Sequence, residues 1–253
     1  MKWLNMAMRR ETAMPMLALT FASAVCVGLV LARIISTGNL RYCFLVWNLF
    51  LAWLPLVFAL LAQETFERQG AWSWRLALLG GIWLLFFPNA PYIFTDLSHL
   101  TARFAAHFWV DLMLILSCAL TGLVLGFVSL YLVQGIVLRA SGAMLSWLFV
   151  AGVAALSGFG VWLGRFLRFN SWDVVFRPVE LYRGIGSGAS EPLRPAASFA
   201  FAALFALFLF ITYVMLYALT QLRRLPATAP PPVPEGAKPA NRRVALAVGA
   251  TSE

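Results

Sequence analysis

Charged side chains are scarce in this sequence: only 11% of its 253 residues are Asp, Glu, Lys or Arg. Soluble domains carry about 25% charged residues, so this composition cannot cover a water-facing surface. Hydrophobic residues make up 62% of the chain, and the mean hydropathy is +0.83. These values exclude an ordinary soluble domain and predict an all-α, multi-pass helical membrane protein.

Cysteine is also rare. Cys26, Cys43 and Cys118 lie in or beside apolar runs, and we interpret them as small packing residues rather than as a disulfide or a metal site. The net charge of +9 comes largely from arginines scattered between apolar runs, without the basic stripe that nucleic-acid binding requires. We therefore expect membrane lipids as partners, no nucleic acid, no metal and no cofactor.

The short motifs of well-known catalytic sites are missing. The sequence has no nucleophile elbow, no phosphate-binding loop and no His-Glu-x-x-His pair, so it gives no support for an enzyme and leaves that question open. It also has no internal repeat at a fixed period. The absence of a repeat weakens the hypothesis of an inverted-repeat transporter without excluding it.

Six apolar runs reach the length of about 20 residues that an α-helix needs to cross a bilayer. They lie at residues 14–35, 42–61, 74–94, 108–133, 144–164 and 196–219. We expect a cytoplasmic segment at 1–13 and a six-helix transmembrane domain at 14–219 with an outer loop near 165–195. A proline-rich, disordered cytoplasmic tail should follow at 220–253.

The charge distribution predicts the orientation of these helices. The first run is too long for a removable signal peptide and lacks a cleavage site, so we interpret it as a permanent anchor. With both termini inside, the inner side holds the larger share of the 19 Lys and Arg residues. We therefore expect a bacterial inner-membrane protein whose N and C termini are cytoplasmic.

Two polar and aromatic stretches leave the apolar runs. Residues 86–97 break their own helix with a proline on either side of Asn89, and residues 164–173 end the fifth run. Polar groups at membrane depth are costly and usually functional. With six spans, both stretches emerge on one face together with Asn48. Asn89 either satisfies carbonyl groups freed by the break or contacts a ligand.

Other polar residues in these stretches have structural interpretations beside functional ones. Thr95 or Asp96 could be the N-cap of a helix that continues through residues 97–104. Asn170 and Asp173 have the spacing of a capping box, with Asn170 as the N-cap. Each of these roles is an alternative to contact with a ligand.

A stripe of five ionisable residues runs through the third connection. Asp96, His99, Arg103, His107 and Asp111 follow one another at three or four residues, so one helical face could carry them all. His107 and Asp111 have the spacing of metal ligands. Arg103, in the middle of the stripe, disfavours a cation and favours salt bridges instead.

Arg165 and Arg168 are the strongest candidates for ligand binding. They lie three residues apart at a helix end, flanked by Phe166 and Phe169, and could hold a phosphate in a forked, charge-assisted contact. The alternative is snorkelling to ordinary lipid headgroups. The full set of candidate ligand-binding residues is Arg165, Arg168, Asn170, Asp173, Asn89, Asp96, His99 and Asn48.

The sequence resembles a family of bacterial integral membrane proteins known only as a domain of unknown function. The resemblance rests on LVWNLFLAWLP at 45–55, on FPNAPY at 87–92 with TDL at 95–97, and on GRF at 164–166 with RFNSWD at 168–173. It covers the chain from about residue 42 to residue 219. It implies a helical inner-membrane protein and transfers no activity.

The leading hypothesis is an inner-membrane protein whose outer face binds an anionic lipid or a phosphate-bearing headgroup through Arg165 and Arg168. One alternative is a small-solute transporter with Asn48, Asn89 and Asp111 along its path. Another is a non-catalytic assembly or partner subunit. An enzyme acting on a lipid-linked substrate would need one of the candidate carboxylates, or a histidine, as its acid or base.

Overall fold

The computed structural model of the protein describes residues 10–70, 72–100, 108–188 and 195–222. Regular structure in these ranges is helical, and they contain no strand, so the predicted all-α class is confirmed. The elements in chain order are α1 (Arg10–Thr37), a 3-10 turn (Leu40–Tyr42), α2 (Cys43–Gln69), α3 (Trp74–Phe86), α4 (Asn89–Tyr92), a 3-10 segment (Ile93–His99), α5 (Phe108–Phe166), α6 (Asp173–Phe176), α7 (Pro178–Gly188) and α8 (Pro195–Leu222).

The chain divides into two units, Met1–Met215 and Leu216–Glu253. The described part of the second unit is residues 216–222, which are the last turns of α8. All candidate site residues belong to the first unit. The predicted cytoplasmic tail falls outside the described residues, apart from its first three positions.

Among the described residues, five helices are long and apolar enough to cross a membrane. They are Ala13–Thr37, Leu40–Gln69, Trp74–Ser98, Phe108–Phe166 and Phe199–Gln221. Large apolar side chains stand exposed along the first and last of them, such as Phe21 and Leu204. Continuous exposed apolar surface of this kind is typical of contact with a bilayer. The chain therefore has the architecture of a multi-pass helical membrane protein.

Helix α5 contains two of the predicted spans. Its 59 residues would extend about 88 Å if straight, about three times the thickness of a bilayer core. Gly142 interrupts it with φ of 84° and ψ of 175°, a conformation that glycine adopts without strain. Trp83 donates a hydrogen bond to Ser129 before this glycine and stacks on Phe149 after it. The first arm (residues 108–141) and the second arm (residues 143–166) therefore fold back on each other.

The third span is broken where its prolines predict. Helix α3 ends at Phe86, and the chain continues through α4 into the 3-10 segment with Pro88 and Ile93 still in the right-handed helical region. Prolines lack the N–H group of a regular helix, so the path stays helical while its hydrogen-bond ladder is interrupted. Neighbouring side chains then have to satisfy the released carbonyl groups.

The centre of the first unit is formed by α2, the first arm of α5 and the broken third span. Leu45 and Leu56 of α2, Ile115 and Leu125 of the first arm, and Ile93 of the 3-10 segment are all fully buried in one apolar cluster. Since these helices share their apolar faces, the break in the third span is surrounded by protein. This is the environment that irregular backbone requires at membrane depth.

Residues 165–195, predicted as an outer loop, contain two short helices in their described part. Helix α7 begins with Pro178 and has Glu180 in its first turn. Proline at the first helical position and an acidic residue in the first turn both favour a helix start, a signal that the loop prediction overlooked. Helix α6 contributes only Asp173–Phe176 before it.

Candidate functional site

A cavity of about 1030 Å³ lies between α2, the third span, the second arm of α5 and the chain from Arg168 to α7. Most of its lining is apolar. The polar side chains are concentrated where the two predicted stretches meet. They are Asn48, Asn89, Asp96, Arg165, Arg168, Asn170 and Ser171. Six of the eight candidate residues are thus brought into one cavity.

Asp96 is the most buried of these polar residues, with 2% of its surface exposed. The Asn48 amide on α2 donates a hydrogen bond to one of its carboxylate oxygens at 2.9 Å. The other oxygen lies 3.5 Å from a guanidinium nitrogen of Arg165 on the second arm. Removing a carboxylate from water costs several kcal/mol of desolvation free energy, so a buried carboxylate requires partners of this kind. Asp96 therefore joins three different spans.

Asn89 connects the two stretches directly. Its amide nitrogen donates to the Phe86 carbonyl at 3.0 Å and to the Ser171 hydroxyl at 2.9 Å. The first bond satisfies a carbonyl group released by the break, as the structural interpretation of Asn89 requires. The second ties the third span to the chain that follows the second arm. Since the Asn89 side chain also lines the cavity, this bond shapes the cavity wall.

Arg165 and Arg168 differ in their surroundings. Arg165 is in the last turn of α5 and is partly buried beside Asp96. Arg168 follows the helix end and is exposed in the cavity, without an ion pair or hydrogen bond to any described residue. Its φ is +59°, and no other non-glycine residue in the described ranges has a positive φ. Only a few per cent of non-glycine residues adopt this conformation.

The interpretation of Thr95 or Asp96 as the N-cap of a new helix is wrong. Thr95 and Asp96 both lie inside the 3-10 segment, which ends at His99, and the Thr95 hydroxyl donates back to the Tyr92 carbonyl at 2.7 Å. The prolines upstream already hold the backbone in a helical path, so no new helix begins there. The side chain of His99 and residues 101–107, which include two members of the predicted stripe, lie outside the described part.

The capping box predicted at Asn170 and Asp173 forms in part. The Asp173 carboxylate accepts the backbone N–H of Asn170 at 2.7 Å, as in a capping box. The regular helix α6, however, begins at Asp173 with Trp172 as its N-cap residue. Asp173 is 6% exposed and is not among the residues that line the cavity. Its position is explained by the hydrogen bond from Asn170 and by Arg177, whose guanidinium lies 4.0 Å away.

The partner of Asp111 is not among the residues predicted from the sequence. Arg33, near the end of α1, contacts both carboxylate oxygens of Asp111 at 2.6 Å and 3.1 Å. Both side chains are almost buried, at 12% and 9% exposure. Arg33 lies within an apolar run, and a charge at membrane depth needs a partner of opposite charge. The position of Arg33 in the sequence therefore already indicated a buried acidic partner. Asp111 is not among the residues that line the cavity.

Four glycines let the broken third span pack closely between the arms of α5. A β-carbon at Gly122 would lie 2.8 Å from the Ala90 carbonyl oxygen, and one at Gly126 would lie 3.0 Å from the Ala90 side chain. On the second arm, Gly160 faces Pro88 and Gly164 faces Tyr92 at 2.9 to 3.0 Å. The two Gly-x-x-x-Gly motifs of the sequence therefore serve helix packing within this chain.

The described residues hold no group of three or more His, Cys, Asp or Glu side chains positioned to bind a metal ion. Two guanidinium groups and one carboxylate line the cavity instead, together with the side-chain amides of Asn48, Asn89 and Asn170. Such an arrangement has more positive than negative charge and many hydrogen-bond donors. It suits an anion better than a cation.

A family model described as a protein of unknown function, DUF1361, matches residues 47–215. The chain belongs to the DUF1361 family. The match contains every polar residue of the cavity and confirms the resemblance to a domain of unknown function. No curated protein and no solved structure gives a significant match. The DUF1361 assignment therefore brings no activity with it, and function has to be inferred from the cavity itself.

Proposed function

We propose that this protein binds an anionic, phosphate-bearing lipid headgroup at one face of the membrane. The binding site is the polar end of the cavity, which Arg165 and Arg168 line together with Asn89 and Ser171. Two positive charges against the single negative charge of Asp96 give this end a net charge of +1. Phosphate oxygens accept several charge-assisted hydrogen bonds at once, and arginine is the side chain best suited to donate them.

Arg168 carries the proposal. Its positive φ costs about 1 kcal/mol for a residue with a β-carbon, and glycine would adopt it without that cost. The strained position places a guanidinium group in the cavity, where no described residue neutralises it. A strained and uncompensated cation is more readily explained by a ligand than by stability.

Arg165 provides the second guanidinium group of the same site. Its contact with Asp96 is long, at 3.5 Å, and its side chain retains 21% exposure. An anion in the cavity would compete with Asp96 for this guanidinium group. The Asp96 carboxylate therefore orients Arg165 in the absence of an anion. Its negative charge also reduces the affinity of the Arg165 guanidinium group for an anion.

The location in a bacterial inner membrane, with both termini cytoplasmic and the cavity on the outer face, is part of the proposal. The distribution of Lys and Arg supports it. Cysteine substitution tests it: Ser98, in the 3-10 segment that precedes the first arm in the sequence, and Ser141, at the last residue of that arm, are both exposed. In a variant without native cysteines, Ser98→Cys should react with an impermeant thiol reagent in whole cells, whereas Ser141→Cys should react only in inverted vesicles. The reverse pattern would place the cavity on the cytoplasmic side.

The binding proposal is tested by analysing the lipids that purify with the protein. Mass spectrometry should find phosphate-bearing anionic lipid on the wild type and at least about tenfold less on Arg168→Gln. Arg183→Gln is the matched control, because Arg183 is an exposed arginine on α7 that does not line the cavity. Equal lipid retention by both variants would contradict the proposal.

A further inference from the structure

The cavity is much larger than a headgroup requires. Its volume of about 1030 Å³ is at the upper end of the range of about 300 to 1,000 Å³ found for drug-sized ligands. A phosphate bound between Arg165 and Arg168 would leave most of this space empty. The remaining space, which we call the apolar slot, is lined by Leu51, Gly81, Leu84, Leu156 and Phe159.

The apolar slot runs from the polar end back along the third span and the second arm of α5. Gly81 precedes the Pro88 break by seven residues, and Phe159 precedes Arg165 by six. At 1.5 Å per helical residue, each wall extends about 10 Å below the polar end. The two walls come from spans that lie side by side, because Gly160 faces Pro88.

The slot is also open to the side. Leu156 is 52% exposed and Trp47, at the rim, is 54% exposed. A β-carbon at Gly81 would have no other atom within 4 Å. The wall is therefore incomplete on a surface that contacts the bilayer, where lipid chains are the molecules available to fill it.

We infer that the ligand is an amphiphile with a phosphate headgroup whose apolar chain enters from the bilayer and occupies the apolar slot. This inference rests on the proposed function, since it assumes that the headgroup binds at Arg165 and Arg168. Each methylene group buried in the slot adds to the affinity, so the affinity should rise with chain length. A site for the headgroup alone would show no such rise within the protein.

The test compares butyl phosphate and dodecyl phosphate as probes, with the protein held in an uncharged maltoside detergent. Gly81→Phe adds a large side chain at the wall of the slot, at a position where a β-carbon meets no neighbouring side chain or helix within 4 Å. Gly152→Phe is the matched control, because Gly152 is also helical, exposed and open but does not line the cavity. Both variants should unfold at the same temperature as the wild type.

Gly81→Phe should weaken dodecyl phosphate binding by about tenfold or more relative to Gly152→Phe, and should leave butyl phosphate binding unchanged. Partition of the long probe into micelles is common to both variants and cancels in this ratio. If Gly81→Phe binds both probes as Gly152→Phe does, the slot assignment is overturned while headgroup binding stands. If Arg168→Gln also binds both probes like the wild type, the proposed function itself fails.

Discussion

In the described part of the first unit, two Arg–Asp pairs with a buried carboxylate are built differently. Arg33 holds Asp111 through two contacts, at 2.6 Å and 3.1 Å, and neither residue lines the cavity. Arg165 meets Asp96 at 3.5 Å, and both line the cavity. The first pair is closed and joins α1 to the first arm of α5. The second pair is loose and lies where a competing anion can reach it.

This difference separates stability from function. A bidentate pair with little exposure has its charges compensated within the protein, so its role is to hold two helices together. Breaking a long contact beside a cavity lowers the stability less than breaking a bidentate pair. Such a contact can also be exchanged for a contact with a ligand. Membrane-buried charge alone therefore does not mark a ligand site; the geometry of the pair decides.

The largest loss of stability should follow from breaking the Arg33–Asp111 pair. Asp111→Asn leaves the Arg33 guanidinium almost buried without its counter-charge, and we expect a loss of about 3 kcal/mol in the free energy of unfolding. Thermal unfolding in detergent measures it as a lower midpoint. The double variant Arg33→Leu with Asp111→Leu should recover most of the loss. If it is as unstable as the single variant, the loss does not come from the uncompensated charge of Arg33.

The second largest loss of stability should come from disturbing the close packing of the third span against the first arm of α5. Gly122→Ala places a methyl group 2.8 Å from the Ala90 carbonyl oxygen, which is backbone and cannot turn aside. We expect a loss of about 2 kcal/mol, as for other overpacked sites. Gly152→Ala, where nothing lies within 4 Å, should be neutral or slightly stabilising. Equal midpoints for the two variants would contradict the close packing of the third span.

Breaking the loose pair should cost less than breaking the closed one. Asp96→Asn keeps an oxygen that can accept the Asn48 hydrogen bond, and Arg165 can turn towards the cavity. We expect a loss of about 1 kcal/mol in stability together with tighter binding of dodecyl phosphate by a few-fold. A loss as large as that of Asp111→Asn, or weaker phosphate binding, would show that the two pairs have the same role.

The smallest change in stability should come from Arg168. Arg168→Gly removes a charge and relieves the positive φ, so the unfolding midpoint should stay unchanged or rise by an amount equivalent to about 1 kcal/mol or less. Binding of dodecyl phosphate should be lost in the same variant. A variant that unfolds earlier and binds normally would mean that Arg168 serves the fold and not a ligand.

The sequence predicted the fold class, the six apolar runs and the meeting of the two polar stretches, because each depends on local hydropathy and on counting spans. The break at Pro88 and Pro91 and the role of Asn89 towards the Phe86 carbonyl also followed from local chemistry. In these cases the deciding interaction lies within a few residues along the chain.

Other features depend on residues that are distant in sequence. The Arg33–Asp111 pair joins positions 78 residues apart, and the Asn48–Asp96 bond joins positions 48 apart, so no local pattern reveals them. The positive φ of Arg168 and the open slot beside Gly81 arise from how helices end and pack. The N-cap prediction for Thr95 or Asp96 was wrong for the same reason, since it considered only the segment on its own.

The most direct test of the binding site is to locate a bound lipid by cross-linking. An alkyl phosphate with a photoreactive group near the end of its chain would be cross-linked to the protein in detergent, and the modified peptides mapped by mass spectrometry. We predict adducts on residues 81–85 and 156–163 that excess dodecyl phosphate removes and that Arg168→Gln abolishes. Adducts spread over bilayer-facing residues such as Phe21 and Leu204, with no dependence on Arg168, would contradict the account.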